Sequence, residues 1–218
     1  MTDARAESGS PAEPGAVVAE ITMSLDGFVT GPYDEVGRGL GEGGERLHYW
    51  VFGGAWTYED DRAGTLGSAT GVDQQVLDEA FGRAGAIVVG RRMYDLAEGW
   101  GEEPAFDMPC FVVTHRGQED RVAGTSTYTF VTDGVESAIR QARAAAGDKH
   151  VLLGGGASII DQALAAGLVD EIDLHVAPVL LGAGRRLFAD VGGRPIVLEP
   201  VGARESPYAT HLRYRVVR

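Results

Sequence analysis

A single cysteine, Cys110, leaves the chain without an internal disulfide or a thiol cluster for zinc. Positive charge is also scarce: 19 Lys and Arg stand against 32 Asp and Glu, a formal net charge of −13 at pH 7. That balance argues against nucleic acid or an anionic membrane surface as the main partner. It leaves room for a small phosphorylated molecule, provided a few arginines converge. Long apolar runs are missing, and none approaches the roughly 20 residues of a membrane helix. Met1 to Gly15 has no apolar stretch to act as a leader; its Ala, Glu, Ser, Pro and Gly residues are those of a flexible tail. The expectation is a soluble, cytoplasmic protein with a tail over 1–16 and one domain over 17–218.

Several chemistries lack their signatures. The histidines, His48, His115, His150, His175 and His211, include no HExxH pair. There is no G-x-S-x-G elbow, no Walker A lysine and no H-x-E with P-C-x-x-C deaminase pattern. Cys110 sits inside an apolar run and is expected to be inert packing.

What is present is an ordinary globular composition, 44% hydrophobic and 23% charged. Residues 17–23 read as a strand, closed by an Asp26-Gly27 turn. Residues 31–71 read as a long excursion over the active side, with one short helical stretch over 45–52. Beyond residue 72 helical spacing (72–83, 91–98, 134–146, 157–166) alternates with short strands (86–89, 110–114, 128–131, 150–153). A strand over 171–181, broken by Pro178, precedes a hairpin of 196–203 and 211–217. The pattern predicts an α/β fold, a three-layer α/β/α sandwich around a mixed, mostly parallel sheet with a C-terminal antiparallel hairpin.

Three strand ends carry the candidate chemistry. Leu152-Leu153-Gly154-Gly155-Gly156-Ala157-Ser158-Ile159 runs from a buried strand through three glycines into a helix. Such a junction admits a ligand close to the backbone and aims helix-start N–H groups at an anion, with pyrophosphate the natural guest. The bland alternative is a tight turn needing positive φ. The position is not that of a Rossmann fingerprint, which follows the first strand. Val88-Val89-Gly90-Arg91-Arg92-Met93-Tyr94 and Thr114-His115-Arg116 also follow buried strands. Their arginines either form a phosphate fork or are solvated charge, although positive charge at a helix start opposes the dipole.

The SLDG turn, VVGRRMYD, FVVTHR, LLGGGASII and the trailing DEIDLHVAPVLLGAGRRLF occur in that order. Together they resemble the dihydrofolate reductase-like superfamily, in its branch containing the riboflavin-biosynthesis reductase (RibD C-terminal) domain and stand-alone bacterial homologues, over residues 17–218. The resemblance implies NADPH binding, hydride transfer to a small heterocycle and a homodimer. It places Gly90, Arg91 and Arg92 on the pyrophosphate and 2′-phosphate side. Thr114, His115 and Arg116 fall in the 2′-phosphate pocket, and Gly154, Gly155, Gly156, Ala157, Ser158 and Ile159 in the pyrophosphate cradle. Met93 and Ile159 stand where folate reductases tend to carry Thr and Tyr, which speaks against folate.

On the substrate side Asp26 is either a proton-delivering group or a turn residue. Glu45 is either the substrate carboxylate or an acid at a helix start. Trp50 and Trp56 either stack on a heterocycle or pack, and His175 either borders the pocket or is a satisfied structural histidine. A phosphoribosyl pyrimidine, the alternative substrate, needs more positive charge. Arg38, Arg46 and Arg62 are scattered among acids, leaving Arg185 and Arg186. A non-catalytic nucleotide-binding protein is the remaining alternative.

Overall fold

The computed structural model describes residues 15–60, 68–102 and 106–218. Most of the expected tail, and Arg62, lie outside the described residues. The chain opens with β1 (Val17–Ser24) and β2 (Phe28–Thr30), crosses the excursion, and enters α1 (Gly71–Arg83). It continues through β3 (Ala84–Gly90), α2 (Arg91–Leu96), β4 (Cys110–Val113), β5 (Arg121–Ala123), β6 (Ser126–Val131) and α3 (Val135–Ala146). Then come β7 (His150–Gly155), α4 (Ala157–Ala165), β8 (Glu171–Ala177), β9 (Arg185–Arg186), β10 (Leu198–Glu205) and β11 (Thr210–Val216).

Nine strands form one sheet in the order β10-β11-β8-β1-β7-β3-β4-β6-β5. The pairs from β8 across to β6 are parallel, whereas β8–β11, β10–β11 and β5–β6 are antiparallel. This is the α/β fold with a mixed, mostly parallel sheet and terminal hairpin that the pattern predicts. Strands β3 and β4 are apolar on both faces because helices cover both. Val88 of β3, with Val17, Ala19 and Leu153, packs under α3 and α4. Ile87 and Val89 point the other way, onto Tyr94, Cys110, Tyr128 and Leu152. Burial pushes the Cys110 thiol up to about 12, so it stays protonated.

Three strands escaped the reading. β2 and β9 form a separate two-stranded sheet, and β5 hairpins with β6. Each has only two or three residues, too few to show a period. The strand expected over 171–181 stops at Ala177, before Pro178, and the helix expected over 91–98 ends at Leu96. The described part of the excursion packs against the rest of the chain. Trp50, Val51, Phe52 and Trp56 cluster with Val76 of α1 and Ala209 beside the final hairpin. Its helical stretch is a 3-10 turn over Gly44–His48. No helix among the described residues is long and apolar enough to cross a membrane.

Candidate active site

At the carboxyl edge of the parallel strands lies a cavity of about 1410 Å³. Helices α2, α3 and α4 begin on it. Their N-cap residues are Gly90, Gly134 and Gly156, none with a side chain capping the helix. All three glycines line the cavity. Helix starts leave N–H groups unpaired and carry partial positive charge, so three of them on one hollow favour an anion. The sequence reading missed Gly134, although Thr129-Phe130-Val131-Thr132-Asp133-Gly134 shows the same strand–glycine–helix pattern.

The three glycines after β7 have different jobs. A Cβ on Gly154 would lie 2.8 Å from Cδ1 of Ile87 in the sheet. Gly155 has φ 106° and does not line the cavity; a Cβ there would lie 3.0 Å from Cδ1 of Ile21. At Gly156 an added Cβ meets no atom within 4 Å among the described residues beyond its chain neighbours. Packing and backbone conformation therefore explain the first two glycines, while the third faces open space. Ala157, Ser158 and Ile159 continue the lining into α4. Ile159 also approaches Gly90, where a Cβ would sit 3.0 Å from its Cγ1.

The expected arginines reach this cavity, but each meets an internal carboxylate. Asp95 accepts from Arg91 Nε at 2.7 Å and from Arg116 Nη2 at 2.8 Å. Asp34 accepts from Arg92 Nε at 2.8 Å and Arg185 Nε at 2.7 Å. Burial raises the Asp34 pKa, but the two guanidinium groups outweigh it and hold the carboxyl down at about 2. The rim is thus charge-balanced rather than simply cationic, and Asp34 and Asp95 were absent from the sequence reading. Thr114 closes the β4 end by accepting from the Arg116 backbone N–H at 3.0 Å. His115 lines the cavity beside it.

The substrate-side residues are not gathered as expected. Asp26 is absent from the cavity lining. Its carboxylate accepts from Ser24 Oγ at 2.6 Å and from the backbone N–H groups of Leu181 and Gly182 at 3.1 and 2.7 Å. The Ser24 hydroxyl, aided by those amides, lowers its pKa from 3.8 to about 2. A carboxyl held ionised in this way clamps the turn to the segment after β8, and is poorly suited to donate a proton near neutrality. Glu45 lies in the first turn of the 3-10 segment, outside the lining; its charge adds to the burial that raises Tyr58 to about 12.

Trp50 is 3% exposed and donates from Nε1 to Thr22 Oγ1 at 3.0 Å. It packs rather than facing the cavity. His175 is buried against His211 and borders a separate cleft of about 220 Å³ near Arg204 and Arg213. The excursion instead brings Leu40, His48, Phe52, Trp56 and Tyr58 to the large cavity. Burial, then the neighbouring His175, pushes His48 down to about 4, leaving it neutral near pH 7. Sequence offered no signal for His48, because its role depends on where the excursion folds back.

The sheet order and helix placement are those of the dihydrofolate reductase-like α/β fold. A family model for the RibD C-terminal domain matches residues 16–211, and the chain belongs to that family. It is 26% identical over 199 residues to an uncharacterized protein of Bacillus subtilis strain 168, YyaP, covering 86% of this chain and 87% of the relative. Among solved structures it is similar to a protein provisionally assigned to riboflavin biosynthesis from Shewanella sp. PV-4. That match has a TM-score of 0.66 and 19% identity, over 93% of this chain and 99% of the other. It is also similar to an Enterococcus faecalis dihydrofolate reductase complexed with NADP(H), with TM-score 0.52 and 14% identity, over 94% and 98%.

Proposed function

We propose that this protein is an NADPH-dependent reductase acting on a small heterocycle, a pteridine, pyrimidine or imine. The observation carrying the reading is the convergence of three glycine-capped helix starts on one cavity. Support comes from the family and from the fold shared with a reductase complexed with NADP(H).

When bound, the cofactor supplies a hydride, and the protein's task is orientation and exclusion of water. The open face of Gly156 and the amides opening α4 would take the pyrophosphate. Arg91, Arg92 and Arg116 would hold the 2′-phosphate side. Asp95 engages one nitrogen each of Arg91 and Arg116, and each planar fork has further N–H donors. His48, neutral, offers both a donor and an acceptor to an uncharged substrate, while Phe52 and Trp56 wall that end. Water is the proton source that this arrangement leaves, since Asp26 is committed elsewhere.

The phosphoribosyl pyrimidine of riboflavin biosynthesis is the second reading, because Arg185 and Arg186 also line the cavity. Arg185 is already bound to Asp34, which weakens that reading. Titration with NADPH and NADH, followed by reduced-nicotinamide absorbance with each substrate class, tests both. Failure of both nucleotides to bind the folded protein ends the proposal. Tight binding with no turnover on any class would return the chain to a nucleotide-binding role.

A further inference from the structure

Three ionisable side chains on the face of β1, β8 and β11 that turns toward α1, and a fourth on α1 itself, form an unbroken row. A carboxylate oxygen of Glu20 lies 2.7 Å from Nε2 of His175. Nδ1 of His175 lies 2.8 Å from Nδ1 of His211, and Nε2 of His211 lies 2.8 Å from Asp73 Oδ1. Sheet register creates the central contact, since His175 and His211 are direct partners across β8 and β11. Asp73, His175 and His211 are 3%, 2% and 5% exposed. No group of His, Cys, Asp and Glu among the described residues has the arrangement to hold a metal ion.

Each of the three contacts requires one proton between its heavy atoms. Two ionised carboxylates and two neutral imidazoles bring only two. Without a third, one contact sets two lone pairs against each other in a dry interior, which is costly. A proton shared between two flanking carboxylates is favoured. The other oxygen of Glu20 is buried with no partner among the described residues, a further cost of leaving that end fully ionised. A fourth proton is opposed, because burial and then the charge of His175 push His211 down.

The surrounding charges are engaged with one another. Asp173 pairs with Arg83 and Arg213, and Glu79 with Arg204. Glu171 is pushed up by burial and by Asp173, and His48 is held neutral.

We infer that Glu20, His175, His211 and Asp73 form a buried proton-binding site that holds one proton at neutral pH and positions the wall of the large cavity through Trp50. The Trp50 ring lies 4.3 Å from His175 and 5.0 Å from His211, centroid to centroid, and its Nε1 donates to Thr22, which lines the cavity. None of the four residues lines that cavity, so they are positioning residues. The inference does not depend on the identity of the nucleotide.

Asp73→Asn separates the proton from the bonds. The amide N–H donates to Nε2 of His211, Nδ1–H of His211 donates to His175, and Nε2–H of His175 donates to Glu20. All three contacts are then satisfied by the amide hydrogen and the two ring protons. A negative charge and the retained proton leave together, so the net charge of the folded protein at pH 7 stays as in the wild type. Asp78→Asn, on the exposed side of α1, should shift electrophoretic mobility by one full charge. Wild-type mobility for Asp73→Asn is the expected result, and a full one-charge shift overturns the inference. Glu20→Gln repeats the test from the opposite end. Should neither variant fold, the wild type decides: ring ¹⁵N shifts and infrared carboxyl bands must show one imidazolium or one protonated carboxyl in the row. Two neutral rings with two ionised carboxylates would refute the proton.

Discussion

Replacing Gly156 by alanine probes the cradle with little disturbance of the fold. Its φ of −71° and ψ of −174° suit any residue, and the added methyl meets no atom within 4 Å among the described residues beyond its chain neighbours. The expected folding cost is that of glycine to alanine at an N-cap, about 0.5–1 kcal/mol. For a chain of this size that lowers Tm by roughly 1–4 °C. The methyl would occupy the space through which phosphate oxygens approach the α4 amides. Loss of one to two charge-assisted hydrogen bonds, each worth about 1.5–3 kcal/mol, gives about 3 kcal/mol. NADPH affinity should therefore fall roughly 100-fold. Calorimetric titration measures the Kd, and melting without nucleotide measures the fold. Gly155→Ala is the contrasting control. With φ 106° and Ile21 at 3.0 Å, it should destabilise the protein itself. If Gly156→Ala keeps Kd within about threefold of wild type, the cradle reasoning is wrong.

Two further outcomes follow from the ion pairs and the turn clamp. Arg116→Ala should weaken NADPH by about 1.5 kcal/mol, roughly tenfold, and leave NADH nearly unchanged; equal losses in titrations of the two would remove the 2′-phosphate role. Asp26 has a folded pKa of about 2 against an ordinary 3.8, so its stabilising contribution is present above about pH 4 and lost as pH falls from there through 2. Denaturant midpoints across that window should flatten in Asp26→Asn relative to wild type. Near pH 7 that variant should be less stable yet keep wild-type nucleotide affinity, and a selective loss of binding would restore Asp26 to the site.

Much of the scaffold was legible because its signals are local. A buried parallel strand such as β3 must be apolar on both faces, and a glycine between strand and helix marks a junction without needing tertiary context. Those rules placed Gly90, Gly154 and Gly156 on one edge, and applied to Asp133-Gly134 they would have added the third helix start. The short strands β2, β5 and β9 were invisible for the opposite reason, since pairing rather than periodicity makes them strands.

The sequence alone determined the alternation of strands and helices, the glycine-opened helix starts and the inertness of Cys110, all consequences of near-neighbour chemistry. Tertiary structure decided which charges meet: Asp34 and Asp95 reach their arginines, Asp26 clamps a segment some 155 residues away, and Trp50 turns inward while His48 faces the cavity. It also set His175 against His211, because the register between β8 and β11 belongs to the sheet and cannot be read from either strand. Side-chain charge state follows burial and partner distance, and both arise only when remote segments pack together.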